Sequence, residues 1–222
     1  MKPTRAAWFF VVGLVWLVLR AILLQNLPQI RTDYIAEHGG MLLLIPLISV
    51  VASLTIPLFF LSFLRRHRFI RQRFLRFATV VAAVASLLSF IQSVASLVAA
   101  ARGLSSPDWP FLLSSPRLLQ ANLLFLVGSF LLFLVAFARS DAGGPSLRKA
   151  AAVGAVGAAV STIMVVVWVG YLRFPDLMDW YPAISRSPAS RLTGLAAAGV
   201  LVWFLEAFAT TYGEGDDPVE HD

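Results

Sequence analysis

Residues 117–138 read RLLQANLLFLVGSFLLFLVAFA, and Arg117 is the only charged residue among them. A run of roughly 20 apolar residues is long enough, as a helix, to cross the hydrocarbon core of a bilayer. A helix that is apolar on every side is either buried in a large protein or lies in a membrane. We therefore predict that this stretch is a transmembrane helix.

Five further apolar runs flank this stretch, and each is bounded by charge, proline or glycine. The six predicted helices cover about 6–27, 40–64, 77–101, 117–138, 148–172 and 190–211. They form three hairpins, at 6–64, 77–138 and 148–211, within a single transmembrane domain over residues 1–211. No small-x-small cleavage site follows the first run, so we interpret it as a retained helix and not as a signal peptide.

The composition agrees with an all-α integral membrane protein. Of the 222 residues, 59% are hydrophobic and only 14% are charged, with a mean hydropathy of +0.79. A soluble domain carries about 25% charged residues, so most of this surface faces something other than water. The formal net charge is +6, and most of the charged residues lie between the apolar runs. This distribution therefore favours phospholipid headgroups as counter-ions and argues against a nucleic-acid partner.

The distribution of basic residues predicts the orientation, because cytoplasmic loops are enriched in arginine and lysine. One side of the predicted layout carries eleven of them: Lys2, Arg5, Arg65, Arg66, Arg68, Arg71, Arg73, Arg76, Arg139, Arg148 and Lys149. The other side carries six: Arg31, Arg102, Arg117, Arg173, Arg186 and Arg191. We therefore place both termini in the cytoplasm, with the protein as a multi-pass component of a plasma (inner) membrane.

The last residues, 212–222, are acidic and contain glycine and proline. Such a segment cannot bury enough apolar surface to fold. We predict a disordered cytoplasmic tail.

Two of the predicted hairpins resemble each other at an offset of 71 residues. Asp108–Trp109 then aligns with Asp179–Trp180, and Gly128 aligns with Gly199. The segment at 133–138 aligns with 204–209 without a gap. We interpret the third to sixth helices as a duplicated hairpin preceded by a diverged or unrelated one. Chance similarity between apolar sequences is the alternative.

A few polar residues inside the predicted helices are candidates for a transport path: Glu206, Ser89, Ser93, Gln92 and Asn122. Ser86, Ser89, Ser93 and Ser96 follow a spacing of three and four, which places them on one helical face. Glu206 is the only acid within the predicted spans, and its partner in the other copy is Val135. An ionisable group at this depth suggests a functional site. The alternatives are that Glu206 reaches the headgroups and that the serines serve helix packing.

The loop at 65–76, RRHRFIRQRFLR, is the most basic segment of the chain. Its arginines form a candidate surface for anionic lipid or a protein partner: Arg65, Arg66, Arg68, Arg71, Arg73 and Arg76. Setting the topology is by itself a sufficient role for them.

Several chemistries are disfavoured. The chain has no cysteine, and its histidines are at positions 38, 67 and 221, outside the predicted helices. Thiolate metal sites and histidine ligands at membrane depth are therefore excluded. No histidine lies at membrane depth to activate a serine. We expect no enzymatic activity, no cofactor and no metal site; a lipid-processing enzyme would need a cluster of outer acids with a metal.

Two functions remain. The first is a permease or channel that moves a small solute, an ion or a lipid. The second is a non-catalytic accessory or scaffold subunit of a larger membrane complex. A transporter needs an internal polar cavity, whereas a scaffold needs an exposed face of small residues, and the chain could associate with another membrane protein or with itself.

Overall fold

A computed structural model describes residues 3–26, 41–65, 72–102, 116–142, 144–185 and 187–213. Within these ranges the regular elements are all helical. They are α1 (Pro3–Asn26), α2 (Met41–Leu64), α3 (Arg73–Arg102), α4 (Pro116–Ala138), α5 (Pro145–Arg173), a 3-10 turn (Pro175–Leu177), the short α6 (Tyr181–Ser185) and α7 (Pro188–Gly213). The six long helices, α1–α5 and α7, each overlap one predicted apolar run.

Proline marks the start of four of the long helices. The first residues of α1, α4, α5 and α7 are Pro3, Pro116, Pro145 and Pro188. Proline suits this position because its fixed φ angle is helical and its missing N–H would have no partner there. The bounding prolines used in the sequence prediction therefore act as helix starts.

Five of the long helices are long and apolar enough to cross a membrane, by length and composition. They are α2, α3, α4, α5 and α7. The described side chains of α1 form a shorter apolar run, Thr4–Trp16. The prediction of an all-helical, polytopic membrane protein is thus confirmed, whereas a crossing by α1 stays a prediction.

The six long helices form a closed ring. Each packs against the long helix before and after it in the chain, and α7 packs against α1. Phe10, near the start of α1, contacts the aromatic ring of Phe59, near the end of α2. Phe208, near the end of α7, contacts the Phe59 side chain as well. The starts of α1, α3 and α5 therefore lie with the ends of α2, α4 and α7 on one face, which we call the terminus face. The other helix ends define the opposite face.

Nine buried phenylalanines fill the ring near the terminus face. This phenylalanine cluster consists of Phe10, Phe59, Phe60, Phe63, Phe130, Phe133, Phe137, Phe204 and Phe208. Ring centroids lie 5.1–6.3 Å apart, and many pairs meet edge to face, as the quadrupoles of aromatic rings favour. α3 and α5 face the cluster with alanines such as Ala82 and Ala151. Large side chains from four helices thus pack against small ones from two.

Glycines allow the closest helix approaches. A Cβ on Gly13 would lie 2.8 Å from the Ala52 carbonyl oxygen and would also meet the Thr55 side chain, so α1 and α2 touch there. A Cβ on Gly157 would lie 3.3 Å from the Ala197 carbonyl oxygen, so α5 and α7 are similarly close. Small residues at such crossings are how helices pack tightly in lipid.

Polar contacts tie the segments together at the terminus face. Gln72 donates a hydrogen bond to Asp141 at 3.3 Å, and Arg148 lies 3.7 Å from the same carboxylate. The Tyr212 hydroxyl donates to the Ala142 carbonyl. The α4–α5 turn therefore contacts both the start of α3 and the end of α7. The predicted tail begins inside α7, which extends to Gly213, and its residues 214–222 lie outside the described residues.

Candidate functional site

A cavity of about 470 Å³ lies inside the ring, between the phenylalanine cluster and the opposite face. Its walls come from α2, α3, α4 and α5. The lining residues are Ser49, Ser89, Gln92, Ser93, Ser96, Leu119, Asn122, Leu123 and Trp168. A cavity of this size is in the range that holds small molecules.

Gln92 and Asn122 form the polar centre of this cavity. The Asn122 Nδ2 donates a hydrogen bond to Gln92 Oε1 at 2.8 Å, which joins α3 to α4. Gln92 is buried, and the Asn122 Oδ1 is also buried without a hydrogen-bond partner among the described residues. A buried amide oxygen without a donor costs about 1–3 kcal/mol. Because this oxygen has almost no accessible surface, the cavity meets the Gln92–Asn122 pair through its other atoms.

The serine face of α3 is divided between two roles. Ser89, Ser93 and Ser96 line the cavity. Ser86 is fully buried one turn nearer the terminus face, where its hydroxyl donates to the Ala83 carbonyl. Ser93 likewise donates to the Ser89 carbonyl at 3.0 Å, so its hydroxyl oxygen remains available as an acceptor. The predicted face thus continues from the packed core into the cavity wall.

The described cavity wall combines amides, hydroxyls and an indole with Leu119 and Leu123, and it carries no charged side chain. An ion entering such a site would lose hydration without gaining an opposite charge. A neutral molecule with hydrogen-bonding groups loses much less. The electrostatics of this wall therefore favour an uncharged polar guest.

Sequence reasoning missed the lining leucines Leu119 and Leu123 and two lining residues that can form hydrogen bonds, Ser49 and Trp168. Ser49 lies on α2, where it accepts a hydrogen bond from the Trp16 indole N–H at 3.4 Å. Trp168 lies near the end of α5 at the opposite face. A tryptophan in an apolar run is also typical of the membrane interface, so its sequence position alone does not identify a cavity residue.

The segment between α5 and α7 folds back over the end of α5. Met178 lies beside Gly170: a Cβ on Gly170 would be 3.2 Å from the Met178 sulfur. Tyr181 stacks on Tyr171 with ring centroids 4.8 Å apart. Burial raises the pKa of the Tyr181 phenol, and the neighbouring Tyr171 raises it further. The Tyr181 hydroxyl therefore stays protonated around neutral pH, and this segment packs against the end of α5.

Comparison with protein families, with curated proteins and with solved structures finds no match to this chain.

The structure brings four of the five candidate path residues together and leaves one out. Ser89, Gln92, Ser93 and Asn122 share the cavity wall. Glu206 is exposed on the outside of the ring, on the side of α7 away from the buried Phe204 and Phe208. The described geometry therefore does not place its carboxylate on a path through this cavity.

The candidate arginine surface is described in part. Arg65, Arg73 and Arg76 are exposed at the terminus face. Arg66, Arg68 and Arg71 lie outside the described residues. The three described arginines sit at the ends of α2 and α3, where headgroups would lie around a membrane-embedded bundle.

Proposed function

We propose that this protein is a permease or channel that moves a small uncharged polar solute across a membrane. The observation that carries the proposal is the cavity inside the ring, which serine hydroxyls and the Gln92–Asn122 amide pair line and which the phenylalanine cluster separates from the terminus face. An interhelical amide pair by itself also serves helix packing. The cavity beside the pair, with polar side chains in its wall, is what a solute-binding chamber requires.

The direction of the chamber follows from the predicted orientation. We place the terminus face in the cytoplasm of a plasma (inner) membrane, which makes the cavity face outwards. We also propose that α1 crosses as a sixth span, because its 24 residues reach about 36 Å as a helix. The terminus-face arginines would then contact anionic headgroups.

We further propose that α3–α4 and α5–α7 are copies of one hairpin. The 71-residue offset relates Phe133 and Phe137 of α4 to Phe204 and Phe208 of α7, and all four are fully buried in the phenylalanine cluster. Equivalent burial at aligned positions supports duplication, and parallel repeats are common among transporters.

In sealed vesicles, the purified protein is expected to speed the entry of neutral polar solutes. The test mixes proteoliposomes with hyperosmotic urea, formamide, glycerol or erythritol and follows re-swelling by light scattering. We expect at least one solute to enter faster than in protein-free vesicles, while sodium and chloride do not. Equal rates with and without protein for every neutral solute would contradict the proposal, and selective ion flux would contradict the uncharged class.

The accessory-subunit hypothesis keeps one specific observation in its favour, namely the exposed Glu206 within a membrane-length helix. A carboxylate facing lipid is costly unless something covers it. Purification in mild detergent separates the two functions. A stoichiometric complex with a different membrane protein would favour the accessory role.

A further inference from the structure

Glu206 has an unusual position for a carboxylate. It belongs to the span Pro188–Tyr212, about two turns from the terminus face, and its side chain is exposed. The buried residues Phe204, Leu205 and Phe208 occupy the other side of α7. No ion pair reaches Glu206 within the part of the chain that the structure describes. A carboxylate on a lipid-facing surface requires a cation or a hydrogen-bonding cover.

Lys149 on the neighbouring helix α5 lies at nearly the same depth. A Cβ on Gly154 of α5 would meet Phe204 of α7, and a Cβ on Gly157 would meet Ala197 and Val200. Because the two helices are antiparallel, these contacts place Lys149 level with Phe208. Glu206 is two residues away along α7, or about 3 Å. Lys149 is exposed as well.

The two charges cannot readily meet within one chain. α5 packs on the side of α7 that carries Ala197 and Val200. Successive residues of a helix are rotated by about 100°, so Glu206 projects from a different side of α7 than Ala197 and Val200 do, towards α1. Lys149, by the same reasoning, lies on the part of the exposed α5 surface nearest to α7. Each group therefore faces outwards at the same level on adjacent helices.

We propose that a second copy of this chain docks on the outer face of α5 and α7, so that Glu206 of each copy pairs with Lys149 of the other. A two-fold axis along the membrane normal keeps every residue at the same depth in both copies. When the two α5–α7 faces meet across this axis, α7 of each copy lies against α5 of the other. Such an interface is self-complementary: if one residue contacts another across it, the reverse contact also forms. The two charges satisfy that requirement with two identical ion pairs.

Gly199 provides a second, independent observation for this face. It is exposed on the same side of α7 as Glu206, and a Cβ there would meet nothing within 4 Å. The packing of one chain therefore does not require glycine at this position, although glycine weakens a helix. Ala196 is exposed one turn before it. A second helix can approach closely over such small residues.

Charge reversal tests the interface, with single-molecule photobleaching in dilute vesicles of phosphatidylethanolamine and phosphatidylglycerol as the readout. We expect a wild-type dimer. E206K and K149E should each weaken it about tenfold or more, and the double variant E206K/K149E should restore most of the affinity. The double variant keeps both charges, so its recovery separates pairing from misfolding.

Cross-linking supplies a second readout that does not depend on charge. The chain has no cysteine, so G199C and V156C introduce the only two thiols. Val156 is exposed on α5 seven residues from Lys149, as Gly199 is on α7 seven residues from Glu206, so the proposed interface brings Val156 of one copy to Gly199 of the other. We expect an oxidised disulfide-linked dimer from G199C/V156C and none from the matched control G128C/V156C, in which Gly128 also has open space around it but lies on α4. A monomeric wild type, a double reversal without recovery, or a stable complex with a different protein through this face would overturn the proposal.

Discussion

Replacement of Phe133 by alanine is expected to lower the free energy of unfolding by about 3–5 kcal/mol. The Phe133 side chain is fully buried, and its ring lies 5.1 Å from Phe60 and 5.5 Å from Phe63, centroid to centroid. It also meets Phe204 across the ring of helices. Truncation leaves a void where rings from three helices converge, and a closed ring cannot collapse to fill it. Equilibrium unfolding in mixed detergent micelles, followed by circular dichroism, measures the change.

The matched control for this substitution lies two turns away on the same helix. Phe125 of α4 is 41% exposed on the outside of the ring, where lipid can replace the lost ring. F125A should therefore change the unfolding free energy by much less than F133A. Equal losses from the two variants would show that the phenylalanine cluster does not hold the helices together.

Replacement of Ser93 by tryptophan is expected to abolish most solute flux, by about tenfold or more, while the protein still folds. Ser93 and Asn122 both line the cavity of about 470 Å³, and an indole at position 93 would extend into it and obstruct a solute. The flux measurement uses the solute that enters wild-type vesicles fastest. Size-exclusion chromatography establishes that the variant remains folded.

A tryptophan on the outside of the ring controls for the added bulk. Ala121 is adjacent to Asn122 on α4 but is exposed away from the cavity. A121W should therefore retain flux close to that of the wild type. If S93W conducts as well as A121W, the solute does not pass through this cavity, and the proposed function is wrong in its central feature.

The positions of the helices could be predicted from the sequence, whereas their faces could not. Charges, prolines and long apolar runs determine where a membrane helix begins and ends, so each predicted run overlaps a long helix. A helix such as α4 is apolar on all sides, because both lipid and the core accept leucine and phenylalanine. The hydrophobic periodicity that identifies the buried face of a soluble helix is therefore missing.

The candidate site was predicted in part for the same reason. Polar residues stand out against an apolar background, so Ser89, Gln92, Ser93 and Asn122 were found. The sequence could not show that Gln92 and Asn122 meet, since they belong to different helices. It also could not show that Glu206 points outwards, because that depends on how α7 is rotated in the ring.

The spacing of the phenylalanines along the sequence indicates the buried faces of three helices, although the sequence prediction did not draw on it. Phe59, Phe60 and Phe63 follow a spacing of one and three, and Phe130, Phe133 and Phe137 follow three and four. Spacing of three and four residues places side chains on one helical face. The same aromatic spacing in Phe204 and Phe208 of α7 could have indicated which side of three helices faces inwards.

The reaction of single introduced cysteines with an impermeant reagent tests most directly whether the cavity opens to the opposite face and is sealed from the terminus face. The natural chain has no cysteine, so S93C in the cavity and A151C beside the phenylalanine cluster each introduce a single reactive thiol. Both are exposed in sealed, oriented vesicles to a membrane-impermeant methanethiosulfonate on one side at a time. We predict rapid modification of S93C from the side opposite the termini, slow modification from the terminus side, and none of A151C from either. An unreactive S93C, or A151C labelled as fast as S93C, would contradict the account.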